Sequence, residues 1–417
     1  MDGSAPSYIP TREEITQAAR DLIPALRERA LATEENRTLL PETVADLKAA
    51  GIHKIFTPKR YGGFEMDWGT HVDVTKELGK GCGSTSWVAS VVYCHSWLLA
   101  RFPPECQEEF WPDNPDAIIG TAFAGGGSMT ETEGGYILNG QWKFSSGINH
   151  SDCAVVAAKV GGSDDDPHSG RTQVFRMAMI LPSEYEVIDV WHSEGLRGTG
   201  SNDIKVVDQF VPAHRTILTE EATGMKPPGA VLHDSYIYNV EFSPYFFTLV
   251  TGPMLGTALG ALEQYCELTK TRLGQMFKES IAEQVPVQIR VGESAAEIQA
   301  ATLIVDNISD YLHEEGKAGR ELPGTTLMTI RRDLAHASRQ CLAAVTRLSG
   351  MMGVSAQTGN NPVQRHFRDC RTISTHGGLQ WDASMGPIGK RMLGLQTGDA
   401  KVDDAIPSAD LDKVLIS

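Results

Sequence analysis

Apolar positions recur at helical spacing through the first quarter of the chain. Thr11 and Glu14 form a capping-box pattern, after which apolar residues repeat every three or four positions from 15 to 26. Three more helices are predicted, at residues 41–51, about 68–78 and about 84–100. The last of these is apolar or small on every side, which is typical of a helix buried between other helices.

The period changes to that of strands from about residue 118. Residues 136–138 and 141–144 flank Asn139-Gly140, which predicts a hairpin with a type I′ turn. Residues 161–170 are expected to form a solvated loop. The block therefore predicts a small antiparallel β domain. Its further strands are predicted at residues 154–160, 174–181, 185–190 and 203–211.

Helical spacing returns after Pro227-Pro228. Asn361 and Pro362 fit the cap and first turn of a final helix running towards Leu395. Long apolar helices in series predict a four-helix bundle. The domains are therefore predicted as residues 1–116 (helical), 117–226 (β) and 227–417 (helical bundle). The other bundle helices are predicted at residues 251–273, 287–313 and 325–349.

Composition narrows the classes of function. The net charge of −16 argues against nucleic acid or an anionic membrane surface as the main partner, because both favour Lys and Arg patches. No run of about 18 apolar residues and no secretory signal is evident. The seven scattered cysteines include no CxxC pair, and we expect a reduced, cytoplasmic protein with no metal site. The glycine clusters at 124–128 and 195–200 match no phosphate-binding loop and are interpreted as ordinary loops.

Two short segments resemble acyl-CoA dehydrogenases. Residues 58–63 (PKRYGG) follow a helix, and residues 195–199 (GLRGT) precede a strand ending at Val211-Pro212. The order of helices, strands and helices matches that family over essentially the whole chain. The resemblance implies a mainly α fold with a central antiparallel β domain: an N-terminal helical domain, a β-barrel-like middle domain and a C-terminal four-helix bundle. It also implies a homotetramer.

A closer resemblance is to the oxygenase components of two-component flavin monooxygenases. It rests on Trp87 with His95, on residues 142–150 (WKFSSGINH), and on His376 with Trp381-Asp382. It implies that a separate reductase supplies reduced flavin, either FAD or FMN. The reduced flavin would react with O₂ to form a C4a-hydroperoxide. This adduct would hydroxylate a small aromatic substrate, a phenol or an indole.

The chain departs from true acyl-CoA dehydrogenases, whose hairpin segment reads closer to WITNG and whose catalytic base is a carboxylate of the C-terminal helical domain. Glu241, Glu263 and Glu267 do not stand in such a context. A flavin dehydrogenase or oxidase remains the alternative that the fold resemblance alone supports. A non-catalytic helical scaffold is a third, weaker interpretation.

The resemblance assigns the flavin contacts. Ser146, or its neighbour Ser145, would offer a hydroxyl to flavin N5, and Gly147 would let the backbone approach the ring. The alternative is a plain hairpin with a surface serine pair. Arg272 would contact the flavin phosphate across a subunit interface, unless it is an exposed arginine at a helix end. The other predicted cofactor contacts are Trp142, Phe144, Thr121 and Phe123.

Two histidines are the predicted catalytic bases or donors. His376 shares a helical face with Arg365, Asp369 and Thr372, a pattern that would otherwise indicate a solvated face. His95 would orient or deprotonate the substrate, although a lone histidine on an apolar helix is commonly a core residue. Asp382 would orient His376 or a substrate group. The other predicted substrate contacts are Trp87, Tyr93 and Tyr238.

Overall fold

The computed structural model describes residues 6, 8–161, 174–274 and 278–403, and its elements follow the predicted order. The Thr11 capping box is confirmed, since Thr11 Oγ1 accepts from the Glu14 N–H at 3.2 Å and the Glu14 carboxylate accepts from the Thr11 N–H at 2.7 Å. The first helices are α1 (Arg12–Asp21), α2 (Ile23–Asn36), α3 (Pro41–Ala49), α4 (Trp68–Gly81), α5 (Gly83–Tyr93), α6 (His95–Leu99) and α7 (Pro104–Phe110). The helix predicted at 84–100 is therefore two helices, which meet at Cys94.

The middle of the chain forms one eight-stranded sheet. Its strands are β1 (Ile119–Ala122), β2 (Ala124–Thr132), β3 (Gly135–Ser145), β4 (Cys153–Val160), β5 (Phe175–Ile180), β6 (Glu186–Ile188), β7 (Asn202–Pro212) and β8 (Thr216–Leu218). The order is β6-β7-β3-β2-β4-β5-β8, and β1 pairs with β4. The sheet is mixed rather than wholly antiparallel, because β1 and β2 follow one another in the same direction and both pair parallel with β4.

The predicted type I′ hairpin at Asn139-Gly140 is wrong. β3 runs through both residues. The turn lies earlier in the chain, at Glu133-Gly134, where it joins β2 to β3. Asn139 instead faces Asp208 of β7 at a shift in the strand register, where its Oδ1 accepts from the Asp208 N–H at 2.8 Å. The Asn-Gly pair therefore marks a bulge. The loop predicted at 161–170 lies outside the described residues except for Gly161.

The C-terminal half is helical again. After the short α8 (Thr219–Thr223), the helices are α9 (Phe242–Leu249), α10 (Thr251–Lys270), α11 (Val285–Lys317), α12 (Gly324–Met351), α13 (Pro362–Ile373), α14 (Trp381–Met392) and α15 (Ala400–Asp403). Helices α10 to α13 pack on one another as the predicted bundle, and α10 also packs on α4. The final helix predicted to reach Leu395 is wrong: it is split into α13 and α14 by a turn that contains Gly377 and Gly378.

One stretch is more apolar than the sequence analysis expected. Among the described residues, Phe242–Lys270 is long and apolar enough to cross a membrane by length and composition, but 83 % of its most apolar window is buried inside the protein. This stretch comprises α9 and α10, which pack against α4 and α12. Such burial is typical of core helices.

Candidate active site

The segment that follows β3 brings together side chains from distant parts of the chain. Ser146 Oγ accepts a hydrogen bond from the Trp87 indole N–H of α5 at 3.1 Å. It lies 2.7 Å from the Oγ atom of Ser201, the residue that precedes β7. The backbone N–H of Gly147 donates to the Thr199 carbonyl at 2.8 Å. Gly147 has a φ of 67° and packs on Val88 and Val92 of α5, so a side chain at this position would be strained and crowded.

The two neighbouring serines have different environments. Ser145 is fully buried, and its hydroxyl has no hydrogen-bond partner among the described residues. Ser146 is partly exposed and lies in the hydroxyl cluster with Trp87 and Ser201. The geometry therefore favours Ser146 over Ser145 as the residue that meets a ligand at this surface.

His376 joins this cluster from the turn between α13 and α14. Its ring lies edge-to-face on the Trp87 indole, with a centroid distance of 5.3 Å. Its Nδ1 accepts from the Gly378 N–H at 3.2 Å, so a neutral ring carries its proton on Nε2. Burial lowers the pKa of His376 to about 4, which keeps the imidazole neutral at pH 7. His376 therefore offers an N–H donor.

The predicted helical stripe does not reach His376. Because α13 ends at Ile373, His376 leaves the face that carries Arg365 and Asp369. Asp369 is buried and accepts from the Leu196 N–H at 2.7 Å, and burial raises the pKa of its carboxyl to about 6. The stripe is thus not a solvated face, because Asp369 is buried and anchors the loop at 195–200.

His95 forms a second cluster with β1. Its Nδ1 lies 2.9 Å from the Ile119 carbonyl, which can only accept, so Nδ1 carries the proton. Its Nε2 is then a bare acceptor and receives the Thr121 hydroxyl proton at 2.9 Å. Burial lowers the pKa of His95 to about 4. His95 therefore offers a neutral acceptor, the opposite of His376.

Two phenylalanines of α9 connect these clusters. Phe246 lies nearly parallel to the His95 ring, with a centroid distance of 6.4 Å. The next residue, Phe247, packs against Gly378, two positions beyond His376; a Cβ on Gly378 would lie 2.5 Å from the Phe247 ring. An apolar wall thus runs from one histidine to the other.

The predicted flavin-contacting aromatics have unlike environments. Trp142 is fully buried in the middle-domain core, where its indole N–H donates to the Ala157 carbonyl at 2.5 Å. Phe144 is 57 % exposed and lies edge-on to Trp191 at 5.7 Å. Phe123 is partly buried and lies edge-on to Phe242 of α9 at 6.2 Å. Of these rings, Phe144 is the exposed one, and it lies two residues before Ser146.

Four other predicted site residues make contacts apart from both clusters. Tyr238 is buried and donates to the Phe56 carbonyl at 3.0 Å. Tyr93 is buried, and its hydroxyl has no partner among the described residues. Arg272 donates to the carbonyls of Met351 and Met352 at the C-terminal end of α12, so it is not a free helix-end arginine. Asp382 is exposed at the start of α14, and its roles remain predictions.

Four residues near these clusters were not predicted as site residues from the sequence: Thr199, Ser201, Phe246 and Phe247. Thr199 belongs to the glycine-rich segment at 195–200 that was interpreted as an ordinary loop, and Ser201 directly follows it. The two phenylalanines belong to the aromatic run FSPYFF before α10. The sequence features that could have identified these residues are the aromatic run and the hydroxyl side chains in and next to the glycine-rich loop. In the described part of the chain, no group of three His, Cys, Asp or Glu side chains could hold a metal ion.

The surface at Ser146 has the features that a planar heteroaromatic cofactor needs. Phe144 presents an exposed ring, Ser146 a hydroxyl, and His376 an N–H donor. Beside His376, Gly377 has no atom within 4 Å of the position a Cβ would take. An apolar face with polar atoms along one edge fits an isoalloxazine ring.

Comparisons with known proteins agree with this geometry. Residues 10–113 match the acyl-CoA dehydrogenase N-terminal domain and residues 248–381 the C-terminal domain. The chain is 33 % identical over 392 residues to the flavin-dependent monooxygenase oxygenase subunit HsaA of Mycobacterium tuberculosis, covering 94 % of this chain and 98 % of that one. A crystal structure of HsaA superimposes with a TM-score of 0.85 at 31 % identity, over 94 % of this chain and all of the other.

Two further relatives extend the comparison. The oxygenase component of an FADH₂-dependent resorcinol hydroxylase from Rhizobium is 30 % identical, covering 89 % of this chain and 91 % of its own. XiaF from Streptomyces, solved with FADH₂ and glycerol, has a TM-score of 0.85 at 26 % identity, covering 93 % of this chain and 97 % of the other. The chain therefore belongs to the acyl-CoA dehydrogenase-fold flavin-dependent monooxygenases, and it is an enzyme that uses reduced flavin.

Proposed function

We propose that this protein hydroxylates a small aromatic substrate, a phenol or an indole, with reduced flavin and O₂. The observation that carries the proposal is the meeting of Trp87, Ser146 and His376, from three distant parts of the chain, beside an apolar wall. The bound flavin would supply the oxygen chemistry, through a C4a-hydroperoxide, and Ser146, Phe144 and Gly147 would hold its ring. The printed names of the relatives, among them a resorcinol hydroxylase, support an aromatic substrate.

His95 is proposed to bind the substrate's polar group. Its bare Nε2 would accept a hydrogen bond from a phenol O–H or an indole N–H, in place of the Thr121 hydroxyl that occupies it here. Withdrawing that proton raises the electron density of the aromatic ring, which favours attack on an electrophilic oxygen. The substrate would thus replace the Thr121 hydroxyl as the hydrogen-bond donor to His95 Nε2.

His376 is proposed to act as a hydrogen-bond donor. The Gly378 N–H donates to Nδ1, so the proton of the neutral ring is on Nε2. The ring is neutral because burial lowers its pKa. The edge-to-face contact with Trp87 orients the ring. Since the two histidines have opposite tautomers, one side of the site accepts a hydrogen bond and the other donates one.

The proposed partners follow from the same assignment. A separate flavin reductase would supply the reduced flavin, since several relatives are named as oxygenase components. A homotetramer is supported by the exposed apolar side chains of α11. Arg272, which lies just after α10, would contact the flavin phosphate across a subunit interface. The described cysteines are free, which is consistent with a reducing, cytoplasmic setting.

Incubation with chemically reduced FAD or FMN, O₂ and a panel of phenols and indoles tests the function directly. We expect a product 16 mass units heavier than one of the substrates, with no product from NAD(P)H alone. If oxidised flavin were instead bound tightly and bleached anaerobically by an acyl thioester, the dehydrogenase alternative would replace this proposal.

A further inference from the structure

Ser146 is one member of a continuous chain of hydrogen bonds. Its Oγ accepts from the Trp87 N–H at 3.1 Å and lies 2.7 Å from Ser201 Oγ. Ser201 Oγ lies 2.7 Å from Thr199 Oγ1. Thr199 Oγ1 lies 2.9 Å from the Leu196 carbonyl oxygen. Three hydroxyls thus stand between an indole N–H and a backbone carbonyl.

The carbonyl end of the chain determines the direction of each bond between the hydroxyls. The Trp87 N–H can only donate, and the Leu196 carbonyl can only accept. Thr199 therefore gives its proton to Leu196, Ser201 gives its proton to Thr199, and Ser146 gives its proton to Ser201. The Leu196 carbonyl also accepts from the Trp191 indole N–H at 2.9 Å and from the Thr199 N–H at 3.2 Å. The reverse direction would nevertheless leave Thr199 Oγ1 and Leu196 O in contact at 2.9 Å with no proton between them.

Burial keeps this direction fixed. Thr199 is 0 % exposed and Ser201 is 2 % exposed, so solvent does not offer either hydroxyl another partner. Ser146 alone reaches the partly exposed surface. Its one proton is committed to Ser201 and one lone pair to Trp87, so a single lone pair is left for a ligand.

We propose that Thr199 and Ser201 make Ser146 a hydrogen-bond acceptor, and that this selects reduced over oxidised flavin. The inference rests on the proposed function, which brings flavin N5 to Ser146. Reduced flavin carries a proton on N5 and can donate to the free lone pair. Oxidised flavin has no proton on N5, so the N5 lone pair would face the free lone pair of Ser146 Oγ. The expected donor role of Ser146 is thereby reversed for the reduced cofactor, and Thr199 and Ser201 are positioning residues.

Anaerobic titration with reduced FAD, and titration with oxidised FAD, measure this preference as the ratio of the two dissociation constants. Ser201→Ala removes the acceptor of the Ser146 proton, which is then free to face N5. Thr199→Val lets Ser201 turn its own proton towards Ser146, with the same result. We expect each variant to lower the preference for reduced FAD by roughly three- to tenfold, the range that one hydrogen bond contributes.

Ser84→Ala is the matched control. Ser84 Oγ accepts from the Gly198 N–H of the same loop at 3.2 Å but takes no part in the hydroxyl chain. Loosening the loop in this way should weaken both forms of FAD equally and leave the ratio unchanged. An unchanged ratio in Ser201→Ala and Thr199→Val, with FAD still bound, would overturn the inference alone. Absence of binding of either form to the unaltered protein would overturn the proposed function as well.

Discussion

His95 and His376 show how the same side chain acquires opposite chemistry from its neighbours. A backbone carbonyl at Nδ1 of His95 leaves Nε2 bare, whereas a backbone N–H at Nδ1 of His376 leaves Nε2 protonated. Burial lowers the pKa of both rings to about 4. Neither ring therefore needs to change charge between pH 5 and 8, and the hydroxylation rate should show no imidazole titration in that range.

His95→Asn tests the acceptor role. Asparagine can still donate to the Ile119 carbonyl, but it removes the Nε2 lone pair. We expect the turnover number with a phenol to fall by about 100-fold or more, the usual contribution of a positioned base. The dissociation constant of reduced flavin should stay unchanged, because the loss concerns the substrate. Stopped-flow and steady-state kinetics measure the two quantities.

His233→Asn is the matched control for that variant. His233 is also buried with a pKa lowered to about 4, but its Nε2 meets Gln107 Oε1 at 2.9 Å, away from the proposed site. It should reduce stability without reducing turnover. A turnover number for His95→Asn within threefold of the unaltered enzyme would contradict the assigned role.

At the scale of elements, Trp142 decides how the strand that precedes Ser146 is built. Its indole crosses β2 and β3, and both Gly127 and Gly140 lie beneath it. A Cβ on Gly127 would stand 2.0 Å from Trp142 Cζ2. Gly140 is therefore present for close packing inside a strand, although the local Asn-Gly pair favours a turn.

Gly127→Ala should destabilise the protein through this contact. Overpacking of a core costs roughly 1–3 kcal/mol, which corresponds to a drop of several degrees in the melting temperature. Gly126→Ala is the neighbouring control, because no atom lies within 4 Å of a Cβ at that position. Thermal unfolding followed by circular dichroism compares them, and equal melting temperatures would refute the packing argument.

At the scale of the whole molecule, buried neutral histidines make the fold sensitive to acid. Burial lowers the pKa of His71, His95 and His233 to about 4 and that of His366 to about 3, whereas the unfolded value is near 6.5. Between these values the unfolded chain binds more protons, so stability falls as the pH falls. Asp369, with its pKa raised to about 6, opposes the trend because it takes up a proton in the folded state.

The urea midpoint should therefore be lower at pH 5.5 than at pH 7.5. Over this interval each histidine lowers the free energy of unfolding by about 1 kcal/mol. Asp369 raises it by about the same amount and so offsets the effect of one histidine. A midpoint that stays constant or rises on acidification would show that these rings are not neutral and buried in solution. Measurements at constant ionic strength separate this effect from salt screening.

The exposed apolar stripe of α11 is the surface that we expect to mediate assembly. Val285, Ile289 and Leu303 are each about 60 % exposed and lie on one helical face. Ile289→Asp combined with Leu303→Asp should convert a tetramer to smaller species in light scattering after size exclusion. Val231→Asp, at a valine that is 79 % exposed outside α11, is the control and should leave the mass unchanged. A monomeric unaltered protein would refute the tetramer.

The sequence by itself determined the order of elements, and its resemblance to a family supplied candidate site residues that stay predictions. Helical periodicity, the Thr11 capping box and the strand pattern are local properties, and short-range physics fixes them. The prediction of the fold class is confirmed, and the resemblance pointed to His95, to His376 and to the pair Ser145 and Ser146. It could not choose between Ser145 and Ser146, because adjacent residues at the end of a strand face opposite ways and the sequence does not say which face meets the ligand.

Only the tertiary structure decided the rest, since contacts between distant residues carry it. The bulge at Asn139-Gly140 depends on Trp142 and β7, and the break before His376 depends on a turn packed against α9. The tautomers of both histidines depend on single backbone atoms. The hydroxyl chain joins α5, the end of β3 and a loop that looked ordinary. The hydrophobic periodicity of the sequence does not predict such contacts, because each contact joins residues that are far apart in the chain.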